Sequence, residues 1–405
     1  MICVAEADRI LADGAWSLPA EPVPLPESYG RILRSPLRSD RDLPPYDRAT
    51  MDGIAVRSSA LAAGRRRFAV ETEAVAGQPP VTLSADGGCV RIMTGAVLPR
   101  GADAVIRSED VTFGSGTAEV AAGVEAPPWH NVHRTASDGR AGDVVMEPGA
   151  RIGEREAAVI ASVGASRVNV SRLPRIAILT TGDEVVAVDA PVEPHQIRQS
   201  NRYAAEAILQ GAGFRAGSEH LPDDEELLGA RARRLLADHD VLITTGAVSM
   251  GVTDNMPRVL AAAGMQERFH RLNQRPGKPL WFGTGSVDGV PRAAFGLPGN
   301  PVSVAVCLRR YVLPFLSRLM EAAPPAPEAA TLTEEVRFPM PLTYYLPVAL
   351  DCSGGRIAAA PRPTGSSGDY LRLMASDGFV ELPAEPDRFA AGHVAPLYRW
   401  GARAG

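Results

Sequence analysis

Lysine is almost missing from this chain of 405 residues, which has 41 arginines and one lysine, Lys278. The bias is typical of a codon preference for arginine. Lysine is a compact point charge and arginine a rigid planar donor, so a lysine kept at one position indicates a site that an arginine fork would not serve. Chance is the alternative interpretation, because one lysine must fall somewhere.

Cysteine, histidine and long apolar runs are also scarce. The four cysteines are far apart and form no CxxC pair, so we expect small buried thiols in a reducing compartment rather than zinc ligands or disulfides. The seven histidines are scattered and predict no histidine-based metal site. No apolar run is long enough to span a membrane, and the N-terminus lacks a signal-peptide pattern, so we expect a cytoplasmic protein with no membrane partner.

The charge balance excludes a further class. The net charge is −5, and no basic stripe alternates with aromatic residues, which argues against a nucleic-acid partner. A hydrophobic content of 45% and a charged content of 22% are typical of globular proteins. The length exceeds one ordinary core, so about two to four domains are expected.

Short β runs broken by glycine predict a small β domain in the first part of the chain. The runs are Phe68–Val75, Cys89–Met93, Ala104–Ile106 and Ala118–Val120. A helical pattern, Val4–Ala15, precedes them, and a return strand within Gly142–Ile152 and a helix, Glu154–Ser162, follow. We therefore expect one domain made of residues 1–40 and 140–170, with the β domain, residues 41–139, inserted into it.

The middle of the chain alternates apolar strands with helices. Ile176–Thr181 and Val241–Thr245 have similar sequences, and each is followed by glycine. The helices between them predict a parallel α/β sheet over residues 171–322, with Asn201 capping the first helix. After a linker rich in proline and alanine, further short β runs predict an all-β domain over residues 323–405.

Polar loops follow the predicted strands, and ligands of such sheets bind beyond the carboxyl ends of the strands. The loops are Gly182–Glu184, Gly246–Gly251 with Asp254, and Gly296–Ser303. In the last loop, Pro301 stands near the start of a helical pattern, Val304–Leu319. A junction of strand, glycine loop and helix directs backbone N–H groups at an anion. Arg275–Pro279 adds a tight cationic turn.

The side chains of this α/β region suit a phosphate or another tetrahedral oxyanion bound with Mg²⁺. They are the acids Asp183, Glu184 and Asp254, the hydroxyls Thr245, Ser249 and Ser303, and the cations Arg275 and Lys278. Neither a dinucleotide dehydrogenase nor a P-loop enzyme fits, because the sequence has no GxGxxG and no GxxxxGK[ST] motif.

Each candidate also has a structural interpretation. The Thr181–Glu184 loop can be a turn with a helix cap. Asp52, which precedes a glycine, can simply form a turn. Thr94 can terminate a strand, and Asp254 can cap a helix. The combination of acids, hydroxyls and cations in one region favours the functional interpretation.

Six motifs in order make the chain similar to the MoeA family of molybdenum insertases. They are Leu43–Val56 with its Met51-Asp52-Gly53 core, Arg91–Asp110, Thr181–Glu184, Thr245–Asp254, Arg275–Pro279 and Gly296–Ser303. The resemblance covers essentially the whole chain. It implies a homodimer of elongated four-domain subunits, with a molybdopterin-binding α/β domain and a β-barrel-like C-terminal domain. The active cleft then lies between the α/β domain of one subunit and the β domain of the other.

The resemblance also implies an activity. Members are molybdopterin molybdenumtransferases, which insert molybdate into adenylylated molybdopterin and release AMP with Mg²⁺. A molybdopterin adenylyltransferase and molybdoenzyme acceptors are the implied partner proteins.

Site residues follow from the same resemblance. It implies catalytic roles for Asp52, Thr94, Glu184, Asp254 and Lys278, of which Asp52, Glu184 and Asp254 bind the metal. Cofactor or molybdate binding is implied for Asp138, Gly182, Asp183, Gly246, Ser249, Gly251, Arg275, Pro298, Gly299, Asn300, Pro301 and Ser303.

Several positions depart from the family pattern. Arg275 replaces a lysine, Ala247 a glycine and Gln199 an aspartate, and an arginine of the C-terminal domain is replaced around Pro347. These departures motivate a second hypothesis, a carrier that binds the cofactor without hydrolysing it. A gephyrin-like scaffold and an adenylyltransferase of the same α/β fold are further alternatives, and AMP release separates the insertase from the carrier.

Overall fold

The computed structural model describes residues 1–246, 255–323, 326–366 and 368–401. The chain divides into two compact units. The first consists of Met1–Pro22, Gly30–Arg34 and Asn169–Gly405, and the second consists of Val23–Tyr29 and Ser35–Val168. The second unit therefore interrupts the first in sequence. None of the helices in the described ranges is long and apolar enough to cross a bilayer.

A six-stranded sheet forms the centre of the first unit. Its strands are, from edge to edge, Ala216–Leu221, Ile176–Thr181, Val241–Thr245, Val290–Leu297, Trp281–Val287 and Gln266–His270. The first four are parallel, as the sequence predicts, and the last two are antiparallel. The antiparallel edge corrects the expectation of a purely parallel sheet, because a two-residue turn at Asp288 reverses the chain between the Trp281 and Val290 strands.

Both faces of this sheet are buried. Ile176 and Ile178 pack into one hydrophobic cluster, while Ala177 and Leu179 pack into another on the opposite face. This explains why the strand is one continuous apolar run instead of an alternating pattern. The helices beside the sheet are Asn201–Gly211, Glu225–Asp238 and Met256–Ala262.

The predicted helix after the last parallel strand is present and begins earlier, at Pro301. It runs as Pro301–Cys307, a π-helical turn Leu308–Val312, and Leu313–Leu319. Proline suits the first helical position because its missing N–H has no intrahelical partner there. The loop Pro298–Asn300 therefore leads directly from the sheet into this helix.

A closed β-barrel follows, which confirms the barrel-like C-terminal domain. Its strands, each paired with the next and the last with the first, are Thr343–Asp351, Ala358–Pro361, Glu328–Leu332, Val394–Arg399 and Gly378–Leu382. The short strand Gln274–Arg275 pairs in parallel with Thr343–Tyr344 of the barrel. The cationic turn is thus attached to the barrel.

The second unit contains another six-stranded sheet, which includes the predicted β runs. Its order is Ala104–Arg107, Gly53–Val56, Gly88–Ile92, Arg67–Ala74, Thr117–Val120 and Val111–Gly114. Gly53 is required by a close approach, because a Cβ at this position would lie 1.9 Å from the carbonyl oxygen of Ile106. The helices Val4–Asp13 in the first unit and Glu154–Ser162 in the second agree with the sequence prediction.

Shorter elements complete the described structure. They are the strands Ala20–Pro24, Leu37–Arg38, Arg48–Ala49, Val132–His133, Val144–Met146, Arg167–Ser171, Val185–Val186, Ile197–Arg198, Val336–Arg337 and Arg388–Phe389, the helix Ser58–Ala62, and the 3₁₀ turns Leu25–Glu27, Ser108–Asp110 and Leu371–Ala375.

All four cysteines are free thiols. Cys89 and Cys307 are buried as expected, whereas Cys3 and Cys352 are exposed. The expectation of burial was wrong for these two because Cys3 precedes the first helix and Cys352 follows the end of a barrel strand.

Candidate active site

The carboxyl ends of the parallel strands bring three predicted loops together. Gly246 has a φ of +97°, and a Cβ at this position would lie 2.6 Å from the backbone oxygen of Thr181. A Cβ on Gly299 would lie 3.8 Å from the Cα of Gly246. The Thr181, Gly246 and Gly299 loops therefore pack backbone against backbone, and only a glycine fits at the centre.

Acidic side chains surround this junction. The carboxylate of Glu184 folds over the Gly182 backbone, with Oε2 2.9 Å from where a Cβ of Gly182 would lie. Asp183 Oδ1 accepts a hydrogen bond of 3.0 Å from the backbone N–H of Asp223. The Asp223 carboxylate in turn accepts a hydrogen bond from the hydroxyl of Thr181. Three carboxylates thus lie at the carboxyl ends of the strands, which we call the acidic edge of the sheet.

The Asn201 side chain connects the helix Asn201–Gly211 to the Gly299 loop. Asn201 is the first residue of that helix rather than its cap, which corrects the sequence prediction: the preceding residue holds the cap position. Its Nδ2 donates to the carbonyl oxygen of Gly299 at 2.7 Å. Its Oδ1 is buried and has no hydrogen-bond partner in the part of the chain that the structure describes. Buried polar atoms are normally paired, so this oxygen is available to a bound donor.

A small cleft of about 180 Å³ lies beside the cationic turn. Its lining includes Arg275, Val302, Pro347 and Ser366. The Arg275 guanidinium contacts the Met340 sulfur at 3.6 Å and forms no ion pair with any described carboxylate. An uncompensated guanidinium next to a hydroxyl is suited to a tetrahedral oxyanion. Val302 belongs to the helix that follows the Gly299 loop, so the cleft and this loop are joined by consecutive residues.

Lys278 lies on the same turn, on an exposed position. Its carbonyl oxygen accepts a hydrogen bond of 2.9 Å from the Leu272 N–H, and its side chain forms no ion pair within the described ranges. The fully buried Gln274 fixes the backbone of the turn. Its Nε2 donates to the Pro276 oxygen at 3.1 Å, and its Oε1 accepts from the hydroxyl of Tyr311. Burial fixes the turn and leaves its two cations exposed.

In the second unit, Asp52 and Thr94 form a close pair. The Thr94 hydroxyl and the Thr94 backbone N–H both donate to Asp52 Oδ1 at 2.7 Å. These two hydrogen bonds lower the pKa of the Asp52 carboxyl, the hydroxyl contributing most. Both residues are exposed, so an ionised carboxylate is presented to solvent.

Asp138 supplies a further carboxylate of the second unit. His133 Nε2 donates to Asp138 Oδ1 at 2.8 Å, and Arg48 Nη2 donates to His133 Nδ1 at 3.1 Å. The hydrogen bond from His133, more than any other contact, lowers the pKa of Asp138. The short strands Arg48–Ala49 and Val132–His133 pair directly and place Arg48 opposite His133.

Comparison with known proteins decides the family. Three family models match in order: the MoeA N-terminal region (domain I and II) over residues 2–164, a probable molybdopterin binding domain over residues 177–318, and the MoeA C-terminal region (domain IV) over residues 329–400. A molybdopterin molybdenumtransferase of Synechocystis sp. is 37% identical over 403 residues, which cover 99% of this chain and 100% of that protein. This chain belongs to the MoeA family.

Other members of the MoeA family are similar to this chain over nearly its full length. A molybdopterin molybdenumtransferase of Staphylococcus aureus is 30% identical over 406 residues, covering 98% of this chain and 95% of that protein. The crystal structure of a molybdopterin biosynthesis MoeA protein from Pyrococcus horikosii has a TM-score of 0.81 at 29% identity, covering 99% of this chain and 100% of that one.

The predicted residues of this MoeA chain fall into two sets. The first unit brings together Gly182, Asp183, Glu184, Gly246, Pro298, Gly299, Asn300, Pro301 and Ser303, with Arg275 and Lys278 on the adjacent turn. The second unit carries Asp52, Thr94 and Asp138. Ser249, Gly251 and Asp254, together with the departure at Ala247, lie outside the described residues. Roles for all these residues stay predictions.

Sequence reasoning missed three residues that contact or lie beside the predicted ones. Asp223 follows the strand Ala216–Leu221, and its position at a strand's carboxyl end was the available signal. His133 and Ser366 had no such signal, because their neighbours Arg48 and Arg275 are distant in sequence.

The residues present fit Mg²⁺. Among the residues the structure describes, no group of three His, Cys, Asp or Glu side chains forms a ready metal cage. Mg²⁺ is usually bound by one or two carboxylates together with substrate phosphates and water. Glu184, Asp183 and Asp223 supply hard oxygen donors of that kind at the sheet edge.

Proposed function

We propose that this chain is a molybdopterin molybdenumtransferase, which inserts molybdate into adenylylated molybdopterin and releases AMP. The full-length relation to proteins of that name supports the proposal. The structural observation that carries it is the helix beginning at Pro301. Val302 of this helix lines the Arg275 cleft, and Gly299 just before it packs against Gly246 at the carboxyl ends of the strands, so one segment links the cleft to the loops at the strand ends.

The cleft suits the molybdate substrate. Molybdate is a tetrahedral dianion, and Arg275 faces the cleft without a described carboxylate to neutralise it. The hydroxyls of Thr364 and Ser366 line the same cleft and can donate to oxyanion oxygens. Lys278 contributes a second positive charge on the same turn. Donors placed in advance around developing charge commonly contribute about 3–4 kcal/mol each to catalysis.

The acidic edge suits the pyrophosphate end of the adenylylated cofactor. Glu184, Asp183 and Asp223 would hold Mg²⁺, which supplies charge neutralisation at the phosphorus that is attacked. The chain's own contribution is to orient these acids. Asp223 Oδ1 accepts from the Thr181 hydroxyl and Asp183 Oδ1 from the Asp223 backbone N–H, and the second oxygen of each accepts no hydrogen bond from a residue that the structure describes.

We further propose a cytoplasmic homodimer. In this arrangement Asp52 and Thr94 of one subunit complete the site on the first unit of its partner. A molybdopterin adenylyltransferase would supply the substrate, and molybdoenzymes would accept the product. The exposure of Asp52 and Thr94 supports the proposal, because exposed side chains can meet a partner subunit.

The test is AMP release from adenylylated molybdopterin with Mg²⁺, measured with and without molybdate, together with the molybdenum content of the product. Release that requires molybdate and yields metal-bearing cofactor is the expected result. Tight binding without AMP release supports the alternative, a non-hydrolysing carrier. One observation favours that alternative: Pro347 lines the cleft, at the region where the family often has an arginine, which leaves Arg275 as its charged lining residue.

A further inference from the structure

The chain Arg48–His133–Asp138 has a fixed direction of hydrogen bonding. Arginine has donors and no acceptor, so the His133 Nδ1 that faces Arg48 Nη2 must accept. A neutral imidazole then carries its proton on Nε2, and Nε2 donates to Asp138 Oδ1. Arg48 therefore selects the tautomer of His133 that can hold the carboxylate.

These hydrogen bonds occupy one carboxylate oxygen of Asp138 and leave the second oxygen available to a bound donor. Oδ1 accepts from His133 at 2.8 Å and from the Ser137 hydroxyl at 3.2 Å. Oδ2 accepts no hydrogen bond from any described residue, and 54% of the side chain is exposed. The backbone N–H of Asp138 donates to the Leu43 oxygen at 2.9 Å, which fixes the position of the residue as well as its side chain.

The segment that carries these residues is held in a strained backbone. Trp129, Asn131 and Ala136 are non-glycine residues with positive φ, three of the six such residues in the described chain. Such conformations cost about 1–3 kcal/mol each and cluster at functional sites. Tertiary contacts enforce them: the Asn131 side chain donates to the Val105 oxygen at 3.0 Å, and the Ala136 N–H to the Pro44 oxygen at 3.1 Å.

We propose that His133 is a positioning residue, which orients Asp138 so that its free oxygen accepts a hydrogen bond from N–H donors of the pterin. This inference rests on the proposed function, because that function supplies the pterin. An ionised carboxylate is an acceptor only. It therefore cannot hydrogen-bond phosphate oxygens and repels them, so a donor edge is the part of such a substrate that it recognises.

The experiment compares His133→Gln with His133→Phe in the full chain. Glutamine keeps one donor and one acceptor, whereas phenylalanine keeps only the ring. His393→Phe is the matched control, since His393 contacts the Phe389 ring in the barrel and a phenylalanine preserves that contact. The assay is AMP release at varied concentrations of adenylylated molybdopterin, and separately of Mg²⁺.

For His133→Phe we expect the KM for adenylylated molybdopterin to rise about ten-fold, with kcat changed less, because a charge-assisted hydrogen bond to the substrate is weakened. His133→Gln should restore most of the affinity, Asp138→Asn should match the phenylalanine variant, and the Mg²⁺ dependence should stay unchanged. Nitrogen NMR of the wild type should show His133 protonated on Nε2 alone.

Three results overturn the inference: an unchanged KM in His133→Phe, a shift in Mg²⁺ dependence instead of KM, or a glutamine variant as impaired as the phenylalanine variant in spite of an unchanged thermal melt. A wild-type chain that releases no AMP is a different failure, that of the proposed function. In that case the dissociation constants of the same variants for adenylylated molybdopterin decide the role of His133.

Discussion

Thr94 binds one oxygen of Asp52 twice, through its hydroxyl and its backbone N–H, each at 2.7 Å. The pair joins two segments of the second unit, since Thr94 follows the strand Gly88–Ile92 and Asp52 precedes the strand Gly53–Val56. These adjacent antiparallel strands place the two residues at the same end of the sheet. The result is a carboxylate that stays ionised and is fixed in direction.

Thr94→Val should therefore move the acid limb of AMP release to higher pH. The hydroxyl is the largest cause of the lowered pKa of Asp52, so removing it raises that pKa toward its ordinary value. If catalysis needs the ionised carboxylate, activity is then lost at a higher pH than in the wild type. At neutral pH the Asp52 carboxylate is ionised in both proteins and the Thr94 backbone N–H still donates to it, so we expect AMP release to fall much less there than on the acid limb.

Thr94→Ser is the control for this prediction, since it keeps the hydroxyl and should keep the wild-type pH profile. Identical acid limbs in the valine variant and the wild type would contradict a role for the Asp52 carboxylate in the rate-limiting step.

A second prediction concerns Asp240, which is buried at the start of the strand Val241–Thr245. Burial alone raises its pKa, but hydrogen bonds from Arg172 and Arg175 outweigh it and lower the pKa to about 2. A lowered carboxyl pKa gives stability that is present above the unfolded value of about 3.9 and is lost as the pH falls through the folded value. The wild type should therefore lose this contribution between about pH 4 and pH 2.

Asp240→Asn should lower the free energy of unfolding by about 3 kcal/mol at pH 7, because it leaves partly buried guanidinium groups without a carboxylate. Urea unfolding at several pH values measures this, and the difference from wild type should shrink as the pH falls toward 2. Asp238→Asn, at an exposed position two residues earlier, is the control and should change little. A difference independent of pH would contradict the ion-pair explanation.

Local sequence patterns predicted the inner strands Ile176–Thr181 and Val241–Thr245, because both faces of these strands are buried and each is an apolar run. They did not predict Ala216–Leu221 and Gln266–His270, whose polar residues leave no apolar run. The closure of the barrel was expected only through the family resemblance, since it depends on pairing of Thr343–Asp351 with Gly378–Leu382 across the chain. The attachment of Gln274–Arg275 to the barrel could not be predicted either, because two residues carry no strand pattern of their own.

The candidate site likewise has features that local sequence patterns predict and features that depend on tertiary contacts. The glycine loops at the strand ends were predictable, since strand, glycine and helix succeed one another in sequence. Asp223 was missed because the strand before it, Ala216–Leu221, has no apolar run, so its position at the carboxyl end of a strand was not recognised. Asn201 was expected to act as a cap because amides commonly do so, but its side chain instead binds the Gly299 carbonyl, a tertiary contact that no local pattern contains.

Gly246→Ala should damage both stability and activity. The added Cβ would lie 2.6 Å from a backbone oxygen, which cannot rotate away, and alanine is strained at a φ of +97°. Overpacking of this kind costs about 1–3 kcal/mol. We expect a lower melting temperature together with a fall in AMP release that persists at temperatures where the variant is folded.

Gly211→Ala is the matched control for that substitution. Gly211 ends the helix Asn201–Gly211 and has open space where a Cβ would lie. Alanine in a helix is favoured over glycine by about 0.5–1 kcal/mol, so this variant should be as stable as the wild type or more so, and fully active. A Gly246→Ala variant with normal activity would show that the three loops need not pack closely for function.

Arg275→Ala tests the oxyanion cleft, and sulfate provides the probe. The Arg275 guanidinium faces a cleft of about 180 Å³ with no described carboxylate to pair with, so a tetrahedral dianion is the partner that its charge predicts. The variant should need about ten times more molybdate for half-maximal AMP release, which corresponds to about 1.4 kcal/mol. Sulfate should inhibit the wild type competitively with molybdate and inhibit Arg275→Ala less.

Two further variants decide whether the guanidinium itself binds the oxyanion. Arg275→Lys should fall between Arg275→Ala and the wild type, because an ammonium keeps the charge and loses the planar fork. Arg9→Ala, on the exposed face of the helix Val4–Asp13, controls for the loss of positive charge. It should leave unchanged both the molybdate concentration for half-maximal AMP release and the inhibition by sulfate. If Arg275→Ala and Arg9→Ala change the molybdate and sulfate dependence of AMP release equally, the cleft does not bind the oxyanion, and molybdate binds at another place on the protein.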